Sequence, residues 1–199
     1  MGEFTRGLNI RLGLLFSKLG ISPNSWTLIS LVPALIGFVV LSKGNLLAGL
    51  LCFVLTDLLD AIDGAVARVT SSVSNLGAFL DGIIERYLEV LFYLGLLLYL
   101  RNSETFLLPN HIWILFLIYG ALMIPFVSAY ADHKKVAIKT DEKRRLDGIL
   151  GRNSRIVFLY VCMLEGVFNT NYLIYGTAAA AVVVNVAALQ RIAYIAIKK

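Results

Sequence analysis

"LLAGLLCFVLTDLLDAIDGAVARV", residues 46 to 69, begins as a run of oil-like residues and ends with four charged ones, Asp57, Asp60, Asp63 and Arg68. At 1.5 Å per residue it is long enough to cross about 30 Å of hydrocarbon, so it reads as a membrane helix whose far end carries acid. On a helix turning about 100° per residue, Asp60, Asp63, Gly64 and Ala67 follow i, i+3, i+4, i+7 and share one face. Two carboxylates thus point together beside two residues with almost no side chain.

The rest of the chain fits a membrane setting. Of 199 residues 58% are hydrophobic and 16% charged, and the mean hydropathy is +0.78, too apolar for a domain wetted on all sides. The expected fold is an all-α integral membrane protein, a single domain over 1–199. An amphipathic interfacial helix over 1–20 comes first, with Phe4, Leu8, Leu12, Leu15, Phe16 and Leu19 on one side. "GISPNSWT" ends it, and six transmembrane helices follow within 25–195, at about 25–42, 46–67, 75–100, 110–132, 149–168 and 172–195. No cleaved leader or lipid anchor is expected, since Arg6 stands where a myristoylation motif needs Ser or Thr. Cys52 and Cys162 stand singly in apolar runs and read as small core residues; His111 and His133 read as interfacial.

Basic residues set the orientation. Fifteen Lys and Arg fall on the side that holds both termini and the loops after the second and fourth spans, against Lys43 and Arg101 on the other. The positive-inside rule places the termini, and with them the Asp60 to Arg68 end of the second span, in the cytoplasm of a multi-pass cell-membrane protein. The "KTDEKRR" run, residues 139 to 145, reads as a solvated loop or a lipid-headgroup contact. No nucleic-acid partner is expected.

In the next helix Gly77, Asp81 and Glu85 recur every four residues. If the two faces oppose each other, four carboxylates converge, with Gly77 permitting close approach of the helices. Each charge would cost at least roughly 2.5 kcal/mol at a span centre, so a positive partner is required. Hard oxygen ligands of this kind suit Mg²⁺ or Mn²⁺, and Ca²⁺ among the wider set; a pair of divalent ions would balance the charge and serve displacement at phosphorus. The alternative is that the acids sit in headgroup water or pair with Arg68 and Arg86. Asp57, one turn earlier, reads as a hydrogen-bond acceptor behind the ligands.

Asp60-x-x-Asp63-Gly64-x-x-Ala67-Arg68, eight residues, then Gly77-x-x-x-Asp81-x-x-x-Glu85 resembles the signature of the CDP-alcohol phosphatidyltransferases, D-x-x-D-G-x-x-A-R-x8-G-x3-D-x3-D. Seven of eight positions agree with unbroken spacing; the exception is Glu85, where the family has Asp. "PNSWT", residues 23 to 27, looks like the family's P-N-x-x-T at the start of the first span. The resemblance implies transfer of a substituted phosphate from a CDP-linked alcohol, usually a CDP-lipid, to the hydroxyl of a polar alcohol, with release of CMP. By that analogy Asp60, Asp63, Asp81 and Glu85 hold two metal ions, Mg²⁺ or Mn²⁺, and Glu85 is also the catalytic base. Asn24, Thr27, Gly64, Ala67, Arg68 and Ser74 would seat the CDP moiety, with Arg68 on the pyrophosphate. Glu85 carries one more methylene than Asp, so its carboxylate reaches a metal or a proton through a different rotamer.

"GRNSR", residues 151 to 155, puts Arg152 and Arg155 at i and i+3, a seat for a phosphate carried by the acceptor. It looks like the R-x-x-R of phosphatidylinositol phosphate synthases and their relatives, which use inositol phosphate. "SAYAD", residues 128 to 132, departs from that branch by placing Ser128 and Tyr130 where basic residues are usual, which leaves glycerol phosphate, serine or CDP-inositol open as substrates. A homodimer is expected by analogy, with Gly95 and Gly120 among the small residues that permit helix contact. The rivals are a transporter lined by the acidic faces, against which the second half shows no inverted repeat of the second span, and a non-catalytic scaffold that keeps the motif.

Overall fold

The computed structural model describes residues 3–136 and 151–197, with side chains from residue 10 onward. "KTDEKRR", with Lys139, Lys143, Arg144 and Arg145, and the side chains of Phe4 and Leu8 lie outside the described residues. The described chain is helical: α1 Glu3–Ser17, α2 Pro23–Ile29, α3 Leu31–Ser42, α4 Leu46–Val69, α5 Asn75–Leu100, α6 Asn110–His133, α7 Arg152–Gly166 and α8 Thr170–Ile197. It forms two compact units, Met1–Gly95 and Leu96–Lys199.

Local chemistry explains most of the boundaries in the first unit. Ser22 caps α2 by accepting from the Ser25 N–H, with Pro23 in the first helical position where its missing N–H costs nothing. The expected single helix over 25–42 is instead interrupted at Ser30. Pro33 is the reason: it cannot donate to the carbonyl of Ile29 and its ring crowds that carbonyl. The Ser30 hydroxyl donates to the Thr27 carbonyl at 2.7 Å across the break. Gly44, at φ +85°, turns the chain, and Asn45 caps α4 by accepting from the Ala48 N–H. α3 and α4 then run antiparallel, with Leu41 opposite Gly49 and Phe53 opposite Gly37.

α4 has two unlike sides. Leu47, Leu51, Leu55 and Leu58 point outward and are exposed, while Phe53, Thr56, Ile62 and Asp63 are buried. An exposed band of this size suits lipid rather than water. The first half of α5 joins the same unit, its Phe92 ring 4.9 Å from that of Phe53.

In the second unit α6 and α8 run parallel. Phe106, just before α6, meets Tyr175 edge-on at 5.0 Å. Further along, Asn185 Nδ2 donates to the Phe116 carbonyl at 2.8 Å, and Arg191 Nη1 donates to Ser128 Oγ at 3.2 Å. α7 returns antiparallel to α8 after a short connection, with Cys162 packed on Gly176. The buried face of α8 is built from small residues, Ala180, Ala181, Ala187 and Ala188, which let helix backbones approach where lipid supplies no hydrophobic drive.

Among the described residues three helical stretches are long and apolar enough to cross a membrane: Pro23–Ser42, Asn110–His133 and Thr170–Ile197. α4 and α5 are long enough but carry clustered charges, and α7 has only 15 residues.

Candidate active site

Thr70, Ser71, Ser72, Val73 and Ser74 form the turn between α4 and α5, with Ser71 in the left-handed region at φ +53°. Ser74 Oγ accepts from the Gly77 N–H at 3.0 Å and so starts α5. The turn leaves the charged end of α4 beside the first turns of α5. As the helical spacing predicts, Asp60, Asp63 and Asp81 come together, each offering a carboxylate oxygen within 4.8 Å of the others. Asp63 is 6% exposed; Asp60 and Asp81 are half-buried.

α2 contributes the polar wall. Trp26 packs on Ile62 and Val66 of α4 and meets Phe16 of α1 edge-on at 5.4 Å. That contact fixes the rotation of α2, so Asn24 and Thr27, three residues apart, face the acids. The Thr27 hydroxyl donates to Asp63 Oδ2 and also lies 3.2 Å from the Pro23 carbonyl. A donor of this kind fixes one carboxylate oxygen and leaves the other for a cation.

A cavity of about 360 Å³ opens beside the carboxylates. Asn24, Thr27, Gly64, Ala67, Arg68 and Ser74 all line it, together with Asp63, Gly77 and Asp81. The two glycines have steric reasons. A Cβ on Gly64 would sit 3.3 Å from Arg68 Nη1, so the bare backbone lets the guanidinium fold along the helix. A Cβ on Gly77 would sit 3.1 Å from Ser74 Oγ and 3.2 Å from Asn24 Oδ1, so glycine lets α2 close on the start of α5.

Glu85 is placed differently. It is not one of the three mutually close acids, and its carboxylate pairs with Arg86 Nη2. Arg86 also donates through Nη1 to Glu89 at 3.4 Å, and Glu89 accepts from the Tyr93 hydroxyl at 2.7 Å. Glu89 and Tyr93 were not singled out from the sequence, although they extend the four-residue ladder of Gly77, Asp81 and Glu85. Ser72, Val73 and Ala78, which also line the cavity, carried no sequence signal beyond their place beside the motifs, and Pro23 stood out only as the first residue of P-N-x-x-T.

In the second unit Arg155 is 8% exposed and Arg152 half-buried, both in the first turns of α7. Arg155 lines a separate, mostly apolar cavity of about 250 Å³ with Phe158, Ala180, Val183 and Val184. Arg191, counted from sequence as a cytoplasmic flank, is 4% exposed and held against Ser128. His111 and His133 are exposed at the ends of α6.

A described chain that is all helical, with membrane-type helices and an acid cluster beside a cavity, suits the class of membrane enzymes that work on phosphorylated substrates. Residues 21–189 match the CDP-alcohol phosphatidyltransferase family. The chain is 29% identical to an archaetidylinositol phosphate synthase of Aeropyrum pernix, over 90% of this chain and 86% of the relative. It is 31% identical to an archaetidylinositol phosphate synthase of Pyrococcus horikoshii, over 77% of this chain and 75% of the relative. The fold resembles that of the phosphatidylinositol phosphate synthase of Mycobacterium tuberculosis. The structure solved with CDP-DAG bound gives a TM-score of 0.77 at 20% identity, covering 94% of this chain and 92% of that one. The structure in complex with manganese and citrate gives 0.78 at 20% identity, covering 94% and 88%. The chain therefore belongs to the CDP-alcohol phosphatidyltransferase family and is a membrane transferase of phospholipid biosynthesis.

Proposed function

We propose that the protein transfers a substituted phosphate from a CDP-lipid to the hydroxyl of a polar acceptor alcohol, with a phosphorylated inositol as the favoured acceptor. The observation that carries this is the convergence of Asp60, Asp63 and Asp81 within 4.8 Å at a cavity lined by Asn24, Thr27, Gly64, Arg68 and Ser74. The relatives' names supply the acceptor class, since two make archaetidylinositol phosphate.

The donor set is all carboxylate, with three oxygens within 4.8 Å of one another, which fits Mg²⁺ or Mn²⁺. Asp60, Asp63, Asp81 and Glu85 would hold two such ions, whose contribution when bound is to neutralise phosphate oxygens and the departing CMP. Arg68, folded over Gly64, presents a planar fork to the pyrophosphate. Asn24, Thr27 and Ser74 seat the nucleotide, and Ala67 keeps that wall shallow. Glu85 takes the proton from the acceptor hydroxyl. The freed oxygen forms a bond to the lipid-linked phosphorus, the bond from that phosphorus to the CMP oxygen breaks, and CMP leaves with the electron pair.

Arg152 and Arg155 seat a phosphate on the acceptor, joined by Arg191 at the same end of the α7–α8 hairpin. In this reading the chain is one functional domain of six spans behind an interfacial α1, with both termini and the site on the cytoplasmic side, and it works as a homodimer. The spans beyond the three most apolar helices are α4, α5 and α7, whose outward residues, Leu51, Leu55 and Val161 among them, are exposed and apolar.

The test is CMP release by the purified protein from CDP-diacylglycerol with Mn²⁺ or Mg²⁺ and a panel of inositol 1-phosphate, inositol, glycerol 3-phosphate and serine. Metal-dependent release that requires inositol 1-phosphate supports the proposal. Release with another acceptor alone refutes the acceptor assignment, and none across the panel refutes the reaction.

A further inference from the structure

One side of α1 is pressed onto the charged end of α4 and the other is left uncovered. Gly13 faces Ala65 and Val69, where a Cβ would lie 2.5 Å from the Ala65 carbonyl oxygen. Arg11 and Leu15, two residues either side of Gly13, fall on the opposite side of the helix. Leu15 and Leu19 are 61% and 60% exposed, and Leu14 is exposed beside them. Arg11 and Lys18 are exposed as well, and neither makes an ion pair among the described residues.

Leucines interleaved with cations suit a surface that is apolar below and negatively charged above. The leucines enter the boundary between headgroups and chains, while the long stems of Arg11 and Lys18 carry their charges back to the lipid phosphates. A second copy of this chain is a poorer match for the same face, since the protein is itself basic, with a net charge of +5.

From α1 a line of contacts runs to the acids, all within the first unit. Phe16 meets Trp26 of α2 edge-on at 5.4 Å, and Trp26 packs on Ile62 and Val66 of α4. The indole N–H of Trp26 is buried with no hydrogen-bond acceptor among the described residues, so packing alone holds the ring. Thr27, the next residue, donates its hydroxyl to Asp63 Oδ2. When Phe16 leaves its place, no hydrogen bond keeps Trp26 in position, and the wall that orients Asp63 loosens.

We propose that α1 docks on an anionic phospholipid surface through Leu14, Leu15, Leu19, Arg11 and Lys18, and that this docking keeps Phe16 against Trp26 and so sets the turnover rate. Negative membrane charge thus switches the protein on. The effect on turnover rests on the reaction proposed above; the docking does not.

The test uses the full-length protein in nanodiscs of phosphatidylcholine alone, or of equal parts phosphatidylcholine and phosphatidylglycerol. Hydrogen exchange of the α1 amides is read in both, together with kcat for CMP release at saturating substrates. A basic side chain near a charged surface favours docking by about fivefold, so with two of them α1 should exchange about 25-fold more slowly in the mixed discs. The kcat should be several-fold higher there. Arg11→Gln combined with Lys18→Gln should remove both differences, whereas Arg11→Lys combined with Lys18→Arg should keep them. Phe16→Ala should keep the exchange difference and lose the difference in kcat, because docking persists while its link to Trp26 is cut. Phe16→Leu carries that arm if Phe16→Ala fails to fold.

Equal exchange in the two discs, a difference that survives in the double Gln variant, or protection that tracks the number of copies per disc in place of lipid charge would overturn the docking. An exchange difference with equal kcat, or a Phe16 variant whose kcat still follows lipid charge, rejects the link to turnover alone. If neither disc supports CMP release with any acceptor, the reaction reading fails instead, and the exchange difference by itself decides whether α1 docks.

Discussion

Replacing Gly13 by Ala tests whether α1 positions the catalytic end of α4. A Cβ there would lie 2.5 Å from the Ala65 carbonyl oxygen and 2.6 Å from Val69 Cγ2. Ordinary contact begins at 3.4 Å, so the two helices must separate by about 0.9 Å, and a backbone oxygen cannot swing aside as a side-chain tip can. Overpacking of this kind costs about 1–3 kcal/mol, against a gain of about 0.8–1 kcal/mol from Ala over Gly within a helix. The net loss is therefore at most about 2 kcal/mol, or roughly 2–4 °C of thermal midpoint per kcal/mol for a chain of this size. Activity should suffer more. Ala65 lies between Gly64 and Ala67 of the motif, and a misplacement of about 1 Å can cost about 100-fold in rate. If α4 takes up half of the movement, kcat falls about 10-fold. The measurements are CMP release at saturating CDP-diacylglycerol and thermal unfolding in detergent. Gly82→Ala is the control, since a Cβ at that position on α5 meets nothing within 4 Å. It should raise the midpoint by a few degrees and leave kcat unchanged. Wild-type kcat in Gly13→Ala, or an equal loss in Gly82→Ala, would refute the close-approach argument.

The remaining predictions concern side chains at the two sites. Asp63→Asn removes a charged ligand without changing volume and should abolish turnover while the protein stays folded; turnover at the wild-type rate contradicts its role. Glu85→Asp should retain or raise activity, since it restores the family residue, whereas Glu85→Gln should eliminate it, both read as CMP release. Arg152→Ala should raise the KM for inositol 1-phosphate and leave that for CDP-diacylglycerol nearly unaltered; if neither moves, the acceptor seat is misassigned.

The acid cluster was legible in the sequence because helical spacing alone decides which residues share a face. Asp60 and Asp63 on α4 needed no tertiary information to point the same way, and Asp81 needed only the turn at 70–74 to bring it opposite. Glu85 was less legible. It continues the four-residue ladder, but its carboxylate pairs with Arg86, a neighbour at i+1 that spacing rules treat as facing elsewhere. The interruption at Ser30 was written in Pro33, yet a stretch of uniform apolarity over 25–42 hides it, because the missing hydrogen bond lies four residues before the proline. The burial of Arg191 was illegible for a different reason. The positive-inside rule counts charge by position along the chain, and burial of a guanidinium against Ser128 of α6 is a property of which faces meet.

The same distinction explains why three stretches stand out as spans on apolarity among the described residues. Averaging hydrophobicity around a helix penalises the ones that carry the chemistry, since Asp57, Asp60, Asp63 and Arg68 fall in α4 and Asp81, Glu85, Arg86 and Glu89 in α5. Both helices keep apolar residues on the outward side, Leu51, Leu55 and Leu58 on one and Phe79, Ile83 and Leu94 on the other, all exposed. A helix that is polar on one face and oil-like on the other is what a membrane-edge catalyst needs, because a CDP-lipid keeps its chains in hydrocarbon while its diphosphate meets the acids. If α4 and α5 are spans, as proposed, their departure from a uniformly apolar composition is itself the mark of the proposed site.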